Sequence, residues 1–267
     1  MDVKDKVAIV TGAGSGIGAA LTRKLVAAGA RVTAVDLDET GIRATIADLG
    51  DQADRASGQT ADVSNSDQIA ALIEHTNEKF GPVDLYFANA GIIGPHGLGD
   101  SDEEWLRTID VNTLAHVRAA RLLVPEWLER GSGYFIATAS AAGLLSQIDA
   151  AAYSTTKAAA VGFADWLSIT YGDRGIGVSC LCPQGVNTAM LNSDSDSGSI
   201  GAQVVTGAGA VLEPDDVADV VLQAIADEQF LILPHPEVGE YMNRKASDRE
   251  RWLRGMRRLQ AKTSAAN

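Results

Sequence analysis

Short runs rich in β-branched residues alternate with longer helix-patterned stretches, and this alternation limits the fold more than any other feature of the chain. "KVAIVTG" precedes "GIGAALTRKLVAAG", and "RVTAVD" precedes "TGIRATIADLG". "GQTAD" leads into "SDQIAALIEHTNEKFG", "VDLYFANAG" into a long stretch at 102–130, and "GYFIATAS" into an alanine-rich helix. "IGVSCLCP", a helix at 214–227 and "FLIL" complete the series. Strands that alternate with helices require right-handed crossovers and a parallel sheet covered on both faces. Nearly continuous apolar strands suit burial on two sides. The expectation is a single α/β domain over 1–267 with a doubly wound, seven-stranded sheet.

Two segments depart from the pattern. Residues 189–212, centred on "NSDSDSGSIGAQ" (192–203), are polar and rich in Gly and Ser, and read as a mobile loop over the substrate. The C-terminal stretch 241–262 carries eight Lys/Arg against two Asp/Glu, with Trp252, Met256 and Leu259 at helical spacing. It reads as one basic helix over 239–262 with a single apolar stripe, docked on its own domain or on a second subunit.

The net charge of −13 argues against nucleic-acid binding. No apolar stretch approaches the roughly 18 residues that span a bilayer, and the first residues lack the pattern of a secretory leader. Cys180 and Cys182 alternate along one strand and read as buried thiols in a reducing compartment. The four histidines show no ligand spacing, so no metal is expected. The expected location is the cytoplasm.

"TGAGSGIG" lies between the first strand and the first helix. Gly12, Gly16 and Gly18 allow a tight turn, close approach to a pyrophosphate and helix–sheet packing, while the helix start supplies amide donors. Asp36, at the end of the second strand, suits both hydroxyls of an adenosine ribose and repels a 2′-phosphate. Ser15 and Leu37 stand where a 2′-phosphate would require Arg or Lys. The cofactor is therefore expected to be NAD.

"YSTTK" puts Tyr153 and Lys157 one helical turn apart on one face. A phenol has a pKa of about 10, and making it a base near neutrality takes roughly 4 kcal/mol. The Lys157 ammonium is expected to supply part of that, together with a positive nicotinamide ring. Ser140, ending "GYFIATAS", stands at a strand C-terminus, where ligands of open α/β sheets bind, and can hold a substrate oxygen. Asn112 is a poor helix former inside a helical stretch, with no evident local task.

The glycine spacing, "FANAG", Asn112, Ser140 and "YSTTK" together resemble the short-chain dehydrogenase/reductase family in its compact single-domain form, over residues 6–190. The resemblance implies a Rossmann fold of strand order 3-2-1-4-5-6-7, NAD(P)-dependent oxidation of alcohols or reduction of ketones, and homotetramers or homodimers. It implies that Ile17 belongs to the phosphate loop, and that Asp62 and Val63 flank the adenine. Asn89, Ala90 and Gly91 line the adenine-ribose side, and Pro183, Gly185, Val186 and Thr188 hold the carboxamide. It makes Tyr153 the acid/base, Lys157 its partner and a ribose ligand, Ser140 the oxygen holder, and Asn112 the holder of a relay water. The family pattern PGxVxT reads "PQGVNT" here, with Gln184 in a glycine position, and Ala88 replaces an Asn.

Ile92, Ile93, Leu144, Leu145, Val186, Met190 and Leu191, with Gln147 and Gln184 as polar contacts, are the expected pocket walls around Ser140 and Tyr153. They suggest an apolar aromatic or alicyclic substrate, and no Arg or Lys falls where it would clamp a carboxylate. The competing reading is a non-catalytic NAD sensor or scaffold acting through the basic C-terminal helix. Retention of Ser, Tyr and Lys speaks against it. An enoyl reductase would need a wider Tyr–Lys spacing.

Overall fold

A computed structural model describes residues 1–196, 198–207 and 209–265. Ser197 and Ala208, within the 189–212 segment, and residues 266 and 267 lie outside the described residues.

Seven parallel strands form one sheet in the order β3-β2-β1-β4-β5-β6-β7. They are β1 (Val7–Thr11), β2 (Arg31–Asp36), β3 (Ala56–Thr60), β4 (Leu85–Ala88), β5 (Gly133–Thr138), β6 (Ile176–Leu181) and the short β7 (Leu231–Ile232). The expected fold class and strand order are therefore present. β1, β4 and β5 are buried along their whole length, as their unbroken apolar runs require.

Successive strand residues face opposite layers. Val10 packs with Leu21 and Leu25 of α1 (Gly16–Ala27) and with Val217 and Val221 of α10 (Pro214–Ala226). Its neighbour Ile9 packs with Ile69 and Leu72 of α3 (Ser66–Phe80), Leu123 and Trp127 of α5 (Ala115–Arg130), and Leu167 of α7 (Ala151–Tyr171). α2 (Glu39–Ala47) covers the β2–β3 edge, where Ile42 is buried. The chain reverses direction across the sheet between β1 and β4, which opens a crevice at the strands' C-terminal ends.

Three stretches differ from the sequence reading. Residues 102–130 are not one continuous helix: α4 (Asp102–Ile109) and α5 are joined by a π turn over Asp110–Leu114 that contains Asn112. The 189–212 segment contains two helices, α8 (Ala189–Asp196) and α9 (Ile200–Gly207). Ser and Thr there act as local acceptors: Leu191 N donates to Thr188 Oγ1 at 3.3 Å, and Ala202 N to Ser199 Oγ at 3.2 Å. Their abundance marked helix starts rather than an absence of helix. The basic C-terminal stretch is two helices, α11 (Glu237–Ser247) and α12 (Arg249–Ser264). Asp248 separates them and caps the second by accepting from Arg251 N at 2.9 Å.

Candidate active site

A cleft of about 850 Å³ follows the C-terminal ends of the sheet strands. The β1–α1 turn forms one side. Gly12 and Gly16 have φ of +69° and +53°, values open chiefly to glycine. At Gly18 the constraint is space, since a Cβ would stand 2.0 Å from the Gly12 carbonyl oxygen. Ser15 leads into α1 without a side-chain cap, so the first amides of the helix stay available to an anion.

Asp36 reaches back to this turn. Its Oδ2 accepts from Gly14 N at 2.9 Å and its Oδ1 from Asp38 N at 3.1 Å. The carboxylate is thereby held beside the loop, with Leu37 exposed next to it. Asp62 accepts from Ser64 N and Ser64 Oγ. Those bonds, with the charges of Arg107 and Arg118, hold its carboxyl below the usual range against the opposing effect of burial.

Thr11 joins β1 to β4. Its Oγ1 accepts from Asn89 N and Ala90 N, and Asn89 Nδ2 donates to Thr11 O at 2.9 Å. At Gly91 a Cβ would come within 3.2 Å of both Asn112 Oδ1 and Lys157 Nζ, so the chain passes here as bare backbone. The combination of a backbone-lined turn, uncapped helix amides and a carboxylate fixed beside the turn fits a dinucleotide.

At the far end Ser140, Tyr153 and Lys157 line the same cleft. Lys157 is 3 % exposed, donates to Thr138 O at 2.8 Å, and lies 5.6 Å from the centre of the Tyr153 ring. Burial lowers its pKa to about 8, against a smaller opposing influence of Cys180 and Cys182. The Tyr153 phenol is pushed up by burial, and only the hydrogen bond with Ser140 pulls it back. Cys182 and Asp194 add to the rise. Acidification of the phenol was expected from Lys157 together with a positive nicotinamide ring, and in the coenzyme-free protein burial leaves the phenol raised. The lysine is itself desolvated, and burial dominates both groups.

Asn112 is fully buried and does not line the cleft. It accepts from Ile92 N at 2.8 Å and donates to Ile92 O at 2.8 Å and to Thr156 Oγ1 at 3.1 Å. It thus ties the π turn to the segment after β4 and to α7. Ile17, Val63, Pro183, Val186 and Thr188 all line the cleft. Gly185 does not: its carbonyl is held by Leu212 N and by His235, and its Cα faces Val205 and Val211.

Among the expected pocket walls, Ile92, Ile93, Leu145, Gln147, Gln184, Met190 and Leu191 line the cleft, whereas Leu144 packs into the core beneath α7. Gln184 is absent from the positive-φ residues, so it occupies the glycine position without strain. Its Oε1 is buried without a hydrogen-bond partner among the described residues.

Several further residues line the cleft that the sequence reading had not placed there. Asp194 on α8 is buried and lies 3.5 Å from His96 Nε2. Arg107 and Arg244 bring cations to the cleft where none was expected, and Tyr241, Trp252, Met256 and Leu259 form its outer wall. His235, 2 % exposed, accepts from Gln184 N at Nδ1 and donates from Nε2 to Gly185 O and Ala210 O. The amide and carbonyls around it specify that tautomer. Only a fold that returns Pro-His-Pro to the β6 loop reveals its role.

Among the described residues no helix is long and apolar enough to cross a membrane. A profile of the family described as short chain dehydrogenase matches residues 6–198. The 1-deoxy-11-beta-hydroxypentalenate dehydrogenase of Streptomyces exfoliatus is 32% identical over 89% of this chain and 86% of its own length. A Burkholderia phymatum short chain dehydrogenase/reductase in complex with NAD superposes with TM-score 0.86 and 30% identity, covering 94% of this chain and 96% of that one. An actinorhodin polyketide ketoreductase with NADPH superposes with TM-score 0.78 and 31% identity, over 85% of this chain and 95% of its own.

Proposed function

This chain belongs to the short-chain dehydrogenase/reductase family, and on that premise we propose an NAD-dependent secondary-alcohol dehydrogenase that acts as a ketoreductase in the reverse direction. Membership makes it an NAD(P)-dependent oxidoreductase of alcohols and ketones. The choice of NAD and the apolar aromatic or alicyclic substrate are the further steps. One observation carries the reading: the glycine turn, Asp36, Ser140, Tyr153 and Lys157 all line a single cleft.

The turn from Gly12 to Gly18, with Ser15 and Ile17, would hold the pyrophosphate on the α1 amides. Asp36 and Leu37 would meet the adenosine ribose, Asp62 and Val63 the adenine, and Asn89, Ala90 and Gly91 its ribose side. Pro183, Val186 and Thr188 would hold the carboxamide, with Gly185 behind them in the loop. When bound, the dinucleotide accepts hydride from the alcohol carbon or returns it to the ketone. Preference for NAD is supported by the Asp36 carboxylate, whose position beside the loop is fixed by Gly14 and Asp38.

The side chains supply the proton chemistry. The Ser140 hydroxyl holds the substrate oxygen and the Tyr153 phenol exchanges the proton with it. With a pKa of about 8, Lys157 keeps most of its positive charge at pH 7, on Tyr153's side of the cleft. The Tyr153 phenol, raised by burial in the protein alone, reaches working acidity only with the positive charge of the oxidised coenzyme added to that of Lys157. Asn112 keeps the π turn against α7 beside Lys157 and would hold a water that joins Lys157 to solvent. Around them Leu145, Gln147, Gln184, Met190 and Leu191 form the near substrate walls, and the 189–212 segment closes over them.

An assembly of four or two copies belongs to this reading, supported by Leu122, Trp166 and Ile169 exposed on α5 and α7. A reducing cytoplasm is supported by Cys180 and Cys182, which are free thiols. The test is formation of NADH, followed by absorbance, from a panel of cyclic and acyclic secondary alcohols. Failure to reduce either NAD or NADP with every alcohol rejects the proposal.

A further inference from the structure

We infer that the α11–α12 pair is the substrate-selecting wall of the cleft, and that Tyr241, Trp252 and Met256 select a ring-bearing alcohol or ketone. This rests on the dehydrogenase reading and extends it to residues beyond 198, where the family match ends.

α12 is amphipathic: Arg251, Arg254, Arg257 and Arg258 are exposed, while Trp252, Met256 and Leu259 recur at helical spacing. A docked helix normally buries its apolar stripe in the protein. α12 has no buried residue, and its stripe instead lines the cleft that contains Ser140 and Tyr153. That continuity identifies the substrate's hydrocarbon frame as the occupant.

The wall is anchored to the reacting end. Lys245 Nζ donates to Leu144 O at 2.5 Å, which ties α11 to α6 (Ala141–Leu145), the helix that Ser140 caps. Tyr241 lies one turn before Lys245 and so shares its face of α11. Arg244 stands 5.6 Å from the centre of the Tyr241 ring and pairs with Glu240 at 3.2 Å, which steadies the ring. The Tyr241 and Trp252 rings are 6.4 Å apart at 42°, a corner of two aromatic faces suited to a rigid ring.

The test compares Trp252→Ala and Trp252→Phe with the unmodified protein, each with NAD⁺, on 1-tetralol and 2-butanol. Binding of 1-tetralone to the NAD⁺-bound protein is measured by calorimetry as a readout free of turnover. Trp252→Ala should lower the ratio of kcat/KM for tetralol over butanol by about tenfold or more, chiefly through KM. It should weaken tetralone binding to a similar degree, and Trp252→Phe should restore most of both. An unchanged ratio, or an equal fall on both alcohols, overturns the inference. So does a change in sedimentation with the ratio unaltered, which would assign the stripe to a second copy of the chain. Trp252-dependent tetralone binding without turnover of any alcohol would keep the wall and reject the dehydrogenase reading. Absence of tetralone binding to the unmodified protein overturns the wall.

Discussion

Replacement of Lys157 by Met should flatten a pH dependence of stability that the buried ammonium creates. Lys157 is 3 % exposed, and burial takes its pKa from the ordinary 10.5 to about 8. The gap corresponds to about 3 kcal/mol. The folded-state pKa lies below the unfolded one, so between about pH 8 and 10.5 the unfolded chain binds the extra proton. Stability from this group therefore rises with pH through that window, and below pH 8 the folded protein carries the full cost of the buried charge. Cys180 works in the opposite direction, because hydrogen bonding to Cys182 and burial push its thiol up. The difference between the unmodified protein and Lys157→Met, rather than either curve, isolates the lysine. Loss of the bond to Thr138 O adds an offset of about 1–2 kcal/mol that does not vary with pH. The assay is urea unfolding of the coenzyme-free protein at pH 7, 8, 9 and 10. The unmodified protein should gain about 2–3 kcal/mol relative to the variant from pH 7 to pH 10. Parallel curves would refute the desolvation argument.

Three further outcomes are expected. Gly18→Ala puts a Cβ 2.0 Å from Gly12 O and 2.8 Å from Asn89 Nδ2, so NADH titrated by fluorescence should bind at least about a hundredfold more weakly. Asp36→Asn keeps an acceptor for Gly14 N but removes the charge. Repulsion of a 2′-phosphate at about 4 Å is about 1–4 kcal/mol, so the NAD over NADP ratio of kcat/KM should fall by about tenfold to several hundredfold. His116, 1 % exposed with neither ring nitrogen hydrogen-bonded among the described residues, has its pKa pulled from 6.5 to about 3 by burial and then by the Lys157 charge. Its contribution is present above about pH 6.5 and lost as pH falls toward 3. His116→Phe should therefore resist acid unfolding better, by about 2 kcal/mol or more at pH 4, measured by thermal melts.

The fold was legible because its signals are local. An apolar run such as "VAIVT" can be buried on two faces only in a covered sheet, and the glycine turn needs only its immediate neighbours to be interpretable. Tyr153 and Lys157 were found for the same reason, since one turn of one helix fixes their relation. The apolar stripe of the C-terminal stretch was legible, but its place at the cleft was not. Trp252 follows Ser140 by more than a hundred residues, and only packing of α11 on α6 brings them to one cleft. Asp194 was hidden by composition: a Ser/Asp-rich stretch reads as loop, yet its hydroxyls start helices. The state of Tyr153 escaped for a different reason. Spacing reports which charges are near a phenol but not how much water has been removed from it, and in the coenzyme-free protein burial raises this phenol.

The central claim is that the Tyr153 phenol exchanges the proton that accompanies hydride transfer. Its most direct test is turnover of Tyr153→Phe on a secondary alcohol that the unmodified protein oxidises, with NADH affinity measured on the same preparation. The account predicts a loss of at least about a thousandfold in kcat with NADH affinity kept within about threefold. Turnover within tenfold of the unmodified protein would contradict it.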